Sequence, residues 1–587
     1  MFKNLKNKEL LFLLVIILVS IVFIFFRVRY DFFSGINDSV FHVSRVFEIR
    51  ESFLNGHIPG WTNIYSFSHT GQAISGMYPD FTLWPFILVT SWLSPVHQWQ
   101  LILGLVMIVT WIIHARACYL ITKNIKESIL LAYVSSFSGV TLLSFHYGQL
   151  ASGIAYALFP LLIVYCIEIL KSTQFNYKLS LYFGITMSLI VYSHVISTII
   201  ASTVLIILCV GYLWKNYFDN IGMIVRHLLS AIIIVLILSS PILYRIVYIS
   251  KSGLLPPIKL PFSEYPYTKD LLDILTTSLV SRWDTYISLS ILVLSIYLFS
   301  HWYITNKDTR LLLMLSISIL ILGSQIFPWV FLKDTPIALI QAPTWRFLPW
   351  FSVFIILAMA YLLRDNKKVD FTHKLLLILS VITFLSFLGN TERIDKSMLS
   401  KPTYMKKTFY TSTKIQSRIK FSNENIEALN GIRAYFDYAP RVAGNNKKNP
   451  WQPSKVVMNT YRHIGENNDK KKVFKILPTT NQEIKLKVKD VKRGTLTIPI
   501  WNYSSLKYNV KVNGKQVKYS ATPHGNIAIS LDQNIKSAVI SVHHLTPRTY
   551  IGLVIFIAVL WGALILIYLI NFFRNHFKNN LMRHSAK

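Results

Sequence analysis

Charge is scarce in this chain of 587 residues: 15% are Asp, Glu, Lys or Arg, and 27 acids stand against 60 basic residues. Hydrophobic side chains make up 53% of the whole and the mean hydropathy is +0.44, more apolar surface than a soluble fold of this length can hide. That excludes a soluble enzyme, and a bilayer must solvate much of the chain. Cysteine is sparse too. Cys118, Cys166 and Cys209 all fall inside apolar runs, which excludes a disulfide framework outside the membrane. Nor do the basic residues form one patch. They punctuate the gaps between apolar runs or lie in 391–548, which argues against nucleic acid and for membrane topology and an anionic cell-surface environment.

Long apolar runs are what the chain does have. Leu10 to Phe26 carries no charge and follows Lys3, Lys6 and Lys8, with no small-residue cleavage pattern after it. It reads as a retained first span with a cytoplasmic N-terminus. A span needs roughly 20 apolar residues. Later runs of that kind lie near 101–121, 128–145, 151–170, 177–193, 195–214, 228–250, 286–304, 311–330, 347–363, 371–388 and 551–570, about twelve spans in all. Lys and Arg favour short cytoplasmic loops. Lys123 and Lys126, Lys171 and Lys178, Lys215 and Arg226, Lys307 and Arg310, the group Arg364 to Lys374, and the tail from Arg574 then share one side. Phe81 to Leu93 is apolar but short and contains Pro85. A crossing there would invert every later loop, so it reads as a re-entrant or interfacial segment.

This predicts a polytopic α-helical membrane protein over 1–390 with a large first outer loop, 28–100. An extracytoplasmic region, 391–548, is expected to hold a β-sandwich from about 482, and 549–587 to hold a last helix and a basic cytoplasmic tail. Short alternating segments at Glu483–Val488, Thr495–Trp501, Tyr508–Val512, Asn526–Leu531 and Ala538–His543, with turn chemistry at Asn513-Gly514 and His524-Gly525, carry the sandwich expectation. The lysines of this stretch, among them Lys470 to Lys472, Lys485, Lys487 and Lys489, form a solvated face or engage an anionic wall polymer.

The densest ionisable set beside a membrane face is in the first outer loop: Asp31, Asp38, His42, Arg45, Glu48, Arg50 and Glu51. Asp38 is placed to N-cap a helix running to about Leu54, and two roles fit it, a surface cap or an acid at the mouth of the membrane domain. Asp80 follows Tyr78-Pro79 at the entry of the re-entrant segment, where a carboxylate is costly unless wet or paired. It reads as a second site acid or a metal ligand, or as a helix-capping or interfacial residue. Arg346 and Arg245 fall near the outer ends of their spans, where each snorkels to headgroups or stabilises an anion. His42, His146 and His194 are expected at the outer face, which leaves a divalent metal site open, although no His or Cys pair has zinc-like spacing.

Asn37-Asp38-Ser39-Val40-Phe41-His42-Val43-Ser44-Arg45, then Gly56-His57-Ile58-Pro59, Gly71 and Tyr78-Pro79, together resemble the first outer loop of bacterial YfhO-like membrane proteins. These belong to the GT-C superfamily of polyprenyl-phosphate-sugar glycosyltransferases. The likeness continues at Ser193-His194, at Gln341-Ala342-Pro343-Thr344-Trp345-Arg346-Phe347 and at Val512-Asn513-Gly514-Lys515, in order along most of the chain. The resemblance implies a GT-C-like fold and an acid in the first outer loop acting as general base towards a lipid-linked sugar donor; Asp38 alone matches that position. A cell-surface glycopolymer is the acceptor expected with it, and the residues themselves offer Arg346, His42, Arg45, Asp80, His194 and Arg245 as candidates for substrate binding. Two positions depart from the pattern: Gln149 stands where a Glu is expected, and Ala342 where an aromatic is expected. A transporter or flippase of a lipid-linked saccharide and a non-catalytic envelope scaffold remain the rival readings. Neither midplane charges nor inverted repeats favour the transporter.

Overall fold

The structure is a computed structural model. It describes residues 7–26, 32–34, 38–137, 141, 148–215, 220–257, 263, 267–279, 287–365, 370–399, 403–404, 419–423, 426, 435–444, 453–478 and 481–584. Among these, seven helices are long and apolar enough to cross a membrane. In chain order the helices are α1 (Asn7–Phe26), α2 (Ser39–Leu54), α3 (Ile74–Met77), α4 (Trp84–Thr90), α5 (Pro95–Thr122), α6 (Ile125–Ser136), α7 (Leu150–Lys171), α8 (Tyr177–Ser193), α9 (Val195–Lys215), α10 (Ile221–Ser250), α11 (Leu271–Leu279), α12 (Leu289–Ser300), α13 (Lys307–Leu322), α14 (Pro343–Asp365), α15 (Asp370–Leu399), α16 (Lys455–Tyr461) and α17 (Arg548–His584). The seven are α5, α7, α10 and α14, with Val195–Trp214 of α9, His373–Glu392 of α15 and Arg548–Asn571 of α17.

Burial ranks these helices. In α14, 94% of the apolar window is buried, against 6% in α17. A helix apolar on every side belongs at the centre of a bundle or in lipid. α14 takes the centre, packed against α5, α6, α7, α12 and α13, while α17 lies at the edge against α10. The segment 81–93 contains the seven-residue α4 with Pro85 in its first turn, about 10 Å long and so shorter than a bilayer core.

Two five-stranded sheets face one another, with strand orders β10-β9-β13-β7-β6 and β11-β12-β8-β4-β5. Their strands are β4 (Ile464–Asn467), β5 (Lys470–Val473), β6 (Lys475–Leu477), β7 (Glu483–Val491), β8 (Gly494–Trp501), β9 (Lys507–Val512), β10 (Lys515–Val517), β11 (Tyr519–Ala521), β12 (Asn526–Leu531) and β13 (Ile535–Leu545). Alternate residues, Ile484, Leu486 and Val488 on β7 and Val510 and Val512 on β9, point into the shared core, as a period of two requires. Asn513 (φ 47°) and Gly514 (φ 83°) close the β9–β10 hairpin with both turn residues in the left-handed region that a two-residue turn needs. A small sheet of β1 (Phe32–Ser34), β3 (Ile419–Ser422) and β2 (Thr403–Tyr404), in the order β1-β3-β2, ties the chain after α1 to the chain after α15.

The sandwich is bound to the first outer loop rather than merely tethered. Trp501 N–H donates to Thr70 O at 2.9 Å, and Ser68 Oγ to Tyr461 O at 2.7 Å. The Tyr461 hydroxyl donates to Gln72 Oε1, whose Nε2 in turn reaches Tyr435 O and Asp437 O. Phe67, Tyr65, Trp61 and Ile74 of the loop sit in the same core as the sandwich residues Tyr461, Trp501 and Ile500.

Candidate functional site

Helix α2 carries His42 and Arg45 of the expected site residues, with Asp38 at its N-cap. Val40, Val43, Val46 and Ile49 are buried while Leu54 is 53% exposed, so the apolar stripe fades towards the C-terminus. Asp38 occupies the N-cap position, but its backbone is helical and its side chain makes no capping hydrogen bond. This corrects the capping role. The exposed carboxylate instead accepts from Gln149 Nε2 at 2.9 Å on Oδ2. Gly148 makes that approach possible. Its φ of +67° suits glycine, and an added Cβ would lie 2.8 Å from Ser39 Cβ and from the Trp99 ring, so only a glycine lets this turn press against the start of α2.

One turn further on, Arg45 Nη1 lies 3.3 Å from His42 Nδ1. Because a guanidinium only donates, Nδ1 must accept and the ring is neutral with its proton on Nε2. Burial, reinforced by the Arg45 charge, holds His42 well below the ordinary histidine range. Arg45 Nη2 donates to Pro79 O at 2.5 Å, and the guanidinium covers the Tyr78 ring at 4.2 Å, a cation–π contact. Tyr78 is the hub of the site. His42 meets it edge-on at 5.9 Å, and His194, in the turn between α8 and α9, lies against it at a tilt, 5.6 Å away. Burial pushes the phenol up to about 12; Arg45 and Arg346 pull it back, and Asp38 pushes it further up. Burial depresses His194 strongly, with Arg346, His42 and Arg45 adding to it. Asp38, just ahead of α2, and Arg346, on α14, are both within electrostatic reach of the Tyr78 phenol, although 308 positions separate them in the numbering.

The backbone ahead of Arg346 is strained. Gln341 (φ 53°) and Ala342 (φ 36°) are both left-handed without being glycine, a conformation that costs of order 1–3 kcal/mol each and clusters at functional sites. The Thr344 hydroxyl accepts from Lys269 N–H at 2.8 Å, pinning the start of α14 beside this strain.

Asp80 and Arg245 have a different neighbourhood from that expected of substrate ligands. Arg245 Nη2 and Asp80 Oδ1 are 2.9 Å apart with side chains 1% and 2% exposed, and Tyr550 at the head of α17 adjoins the arginine. The carboxylate is therefore neither wet nor a free cap. It is paired, which is how the interior tolerates it. Arg45 feels the attraction of Asp80 and the repulsion of Arg245. Arg45 and Arg245 thus share one buried aspartate beside Tyr78.

Glu48 has a role that sequence reasoning missed. Its buried carboxylate accepts from the backbone N–H of Ile64 (2.7 Å), Tyr65 (2.9 Å) and Ser66 (2.8 Å) and from the Ser66 hydroxyl. Burial pushes Glu48 upward and these four donors pull it down. It organises the loop rather than reacting. Gln149 was visible only as a departure from an expected Glu, and its function as donor to Asp38 had no signal beyond the Gly-Gln turn itself. Among the described residues no group of three His, Cys, Asp or Glu side chains is placed to hold a metal ion, and His146 lies outside the described residues.

No family model matches the chain, and no curated protein matches it. Among solved structures it is similar to ArnT from Cupriavidus metallidurans bound to undecaprenyl phosphate, at 8% identity and a TM-score of 0.45, over 89% of this chain and 98% of that one. It is also similar to the arabinofuranosyltransferase AftD from mycobacteria, at 16% identity and a TM-score of 0.40, over 65% of this chain and 27% of that one.

Proposed function

We propose that the chain is a membrane glycosyltransferase of the GT-C type, moving a sugar from a polyprenyl-phosphate carrier to an extracytoplasmic acceptor, a cell-surface glycopolymer. The observation that carries this reading is the exposed Asp38 carboxylate at the head of α2, held through one oxygen by Gln149, next to the buried set of His42, Arg45, Tyr78 and His194, with Arg346 offered as the cation. A base and a fixed cation at one place are what transfer from a lipid phosphate requires. The acceptor hydroxyl attacks the anomeric carbon and gives its proton to Asp38, a step worth about 10²- to 10⁴-fold when the base is well placed. The bond from that carbon to the lipid phosphate breaks, and the phosphate leaves with an added negative charge. Arg346, at the first turn of α14 where the helix dipole is positive, stabilises that charge. Gln149, donating to one oxygen of Asp38, leaves the other for the proton. His42 and His194, both held neutral, can hydrogen-bond sugar hydroxyls without adding charge.

Asp38→Asn is the test. The side chain is exposed and keeps a polar partner in Gln149, so folding should be unchanged while transfer falls at least a hundredfold. The assay compares envelope polymers from cells carrying the wild-type gene, the variant and no gene. A sugar substituent present with the wild type and absent with the variant supports the reading. A variant that restores the substituent in full sinks it.

A further inference from the structure

The outward face of the sheet β10-β9-β13-β7-β6 carries an arrangement of like charge that folding alone does not explain. On β7 the residues Lys485, Lys487 and Lys489 alternate with the buried Leu486 and Val488, so all three point away from the core, about 6.8 Å apart. Lys475 of β6 pairs directly with Lys487, and Lys511 of β9 stands across Ser541 from Lys485. Opposed like charges on neighbouring strands destabilise a sheet. Glu483 bonds Lys485 at 2.8 Å, but among the described residues none of Lys475, Lys487, Lys489 and Lys511 has a carboxylate partner.

The direction of the ladder is informative. β13 runs from Ile535 to Leu545, and α17 starts three residues later at Arg548, so the Leu545 end is the end nearest the membrane helix. His543 pairs with Glu483, and Ser541, Val539 and Ser537 pair in turn with Lys485, Lys487 and Lys489. Each rung is thus a step further from α17. An anionic lipid surface would meet the foot of such a ladder and not its top. At the foot, Gln482 Nε2 donates to Ile58 O at 3.0 Å, which joins it to the loop just beyond the C-terminus of α2. All five positions are lysine, whose ammonium is a compact point charge that binds phosphate without demanding a fixed planar geometry, as a repeating polymer of variable pose requires.

We propose that this face binds a linear polyanion with repeating phosphates, lying along β7 and leading away from the membrane. The claim goes beyond the transferase reading, since binding would occur whether or not Asp38 performs chemistry. The probe is inorganic polyphosphate, titrated against the full chain in a neutral detergent, with dextran as the neutral control. The variant K485Q/K487Q/K489Q removes three rungs; K470Q/K471Q/K472Q removes the same charge from β5, at the edge of the opposite sheet. Wild type should bind polyphosphate in a salt-sensitive manner and dextran not at all, and the β7 variant should bind about tenfold more weakly, while the β5 variant stays within about twofold of wild type. Equal weakening by the two variants, or no polyphosphate binding by wild type, overturns the proposal. So does lysine-dependent binding to phosphatidylglycerol–phosphatidylcholine vesicles in place of polyphosphate, since it would assign the face to a lipid surface. Circular dichroism of both variants checks that the sheets persist.

Discussion

Substituting Asp80 by Asn separates a structural ion pair from a reacting acid. The change keeps the shape of the side chain and removes its charge, leaving Arg245 buried and facing Arg45 with no carboxylate between them. Both members of the pair are almost fully enclosed, at 1% and 2% exposure and 2.9 Å, so water cannot replace the lost partner. Breaking a buried pair from one side costs about 3–5 kcal/mol, whereas replacing both partners by apolar groups of similar volume is often close to neutral. Against a typical stability of about 5–15 kcal/mol, Asp80→Asn should lower the thermal midpoint markedly, and Arg245→Met likewise. The double variant D80L/R245M should recover most of the loss. The assay is thermal unfolding of the detergent-solubilised chain, followed by tryptophan fluorescence, with envelope sugar analysis in parallel. Non-additivity is the deciding feature, because only groups in contact show a coupling of this size. If Asp80→Asn unfolds at the wild-type temperature, or the double variant is as unstable as the sum of the singles, the ion-pair argument is refuted. Loss of transfer at unchanged stability would then return Asp80 to the site as an acid.

Gly148→Ala should lower stability by about 1–3 kcal/mol, because the new methyl meets Ser39 and Trp99 at 2.8 Å with φ at +67°, and it should reduce transfer by moving Gln149 off Asp38; unchanged transfer would detach the Gly-Gln turn from the site. Glu48→Ala strands three backbone donors at about 1–3 kcal/mol for the first alone, so faster proteolysis of the 58–72 loop is expected, with wild-type cleavage rates as the contrary result. Acid should weaken the outer region: His544 is held down to about 3 and His69 to about 4, with His463 also lowered, all chiefly by burial. Between these values and about 6.5 the unfolded chain binds more protons than the folded one, so stability falls as pH drops from about 6.5. His544 alone accounts for about 2 kcal/mol by pH 5. Glu48, held above its ordinary range, works in the opposite sense near its own titration and offsets part of this. A thermal midpoint that stays flat from pH 7 to pH 5 contradicts the burial of these imidazoles.

Seven of the about twelve expected spans are helices long and apolar enough to cross a membrane among the described residues, and these were legible because crossing a bilayer demands long uncharged runs. The β9–β10 turn was legible for a local reason: Asn-Gly is the pair that accepts positive φ at both positions, and Asn513 and Gly514 adopt it. Strands β4 to β6 escaped notice because Lys470-Lys471-Lys472 shows no apolar alternation. β4 is held by pairing to β8 and β6 by pairing to β7, with β5 added at the edge on β4, rather than by their own pattern. The site shows the same divide. Asp38, His42 and Arg45 were visible as a cluster because one helix carries them. The bond from Gln149 to Asp38 closes over 111 residues and that from Arg245 to Asp80 over 165, and no local pattern encodes which distant polar group a carboxylate will meet.

The sandwich and the α2 end of the site are joined through a strained turn, and the strain has a consequence. Phe67, Ser68 and His69 are three successive non-glycine residues with φ of 49°, 59° and 51°, a run that costs roughly 1–2 kcal/mol per residue. Such a turn persists only if its surroundings over-determine it. The sandwich supplies two of those restraints, Ser68 Oγ to Tyr461 O and His463 Nε2 to Ser68 O at 2.8 Å, and the loop supplies a third, His69 Nδ1 to Ile64 O at 2.6 Å. The turn in turn presents Phe67 to Phe41 at 5.6 Å, with Tyr435 closing the cluster, and Phe41 adjoins both His42 and Tyr78. Removing the sandwich's hold therefore does more than release a distant domain. It frees a turn that relaxes downhill, withdraws Phe67 from Phe41, and loosens the aromatic wall against which Tyr78 and His42 are set, so the sandwich is part of what shapes the site.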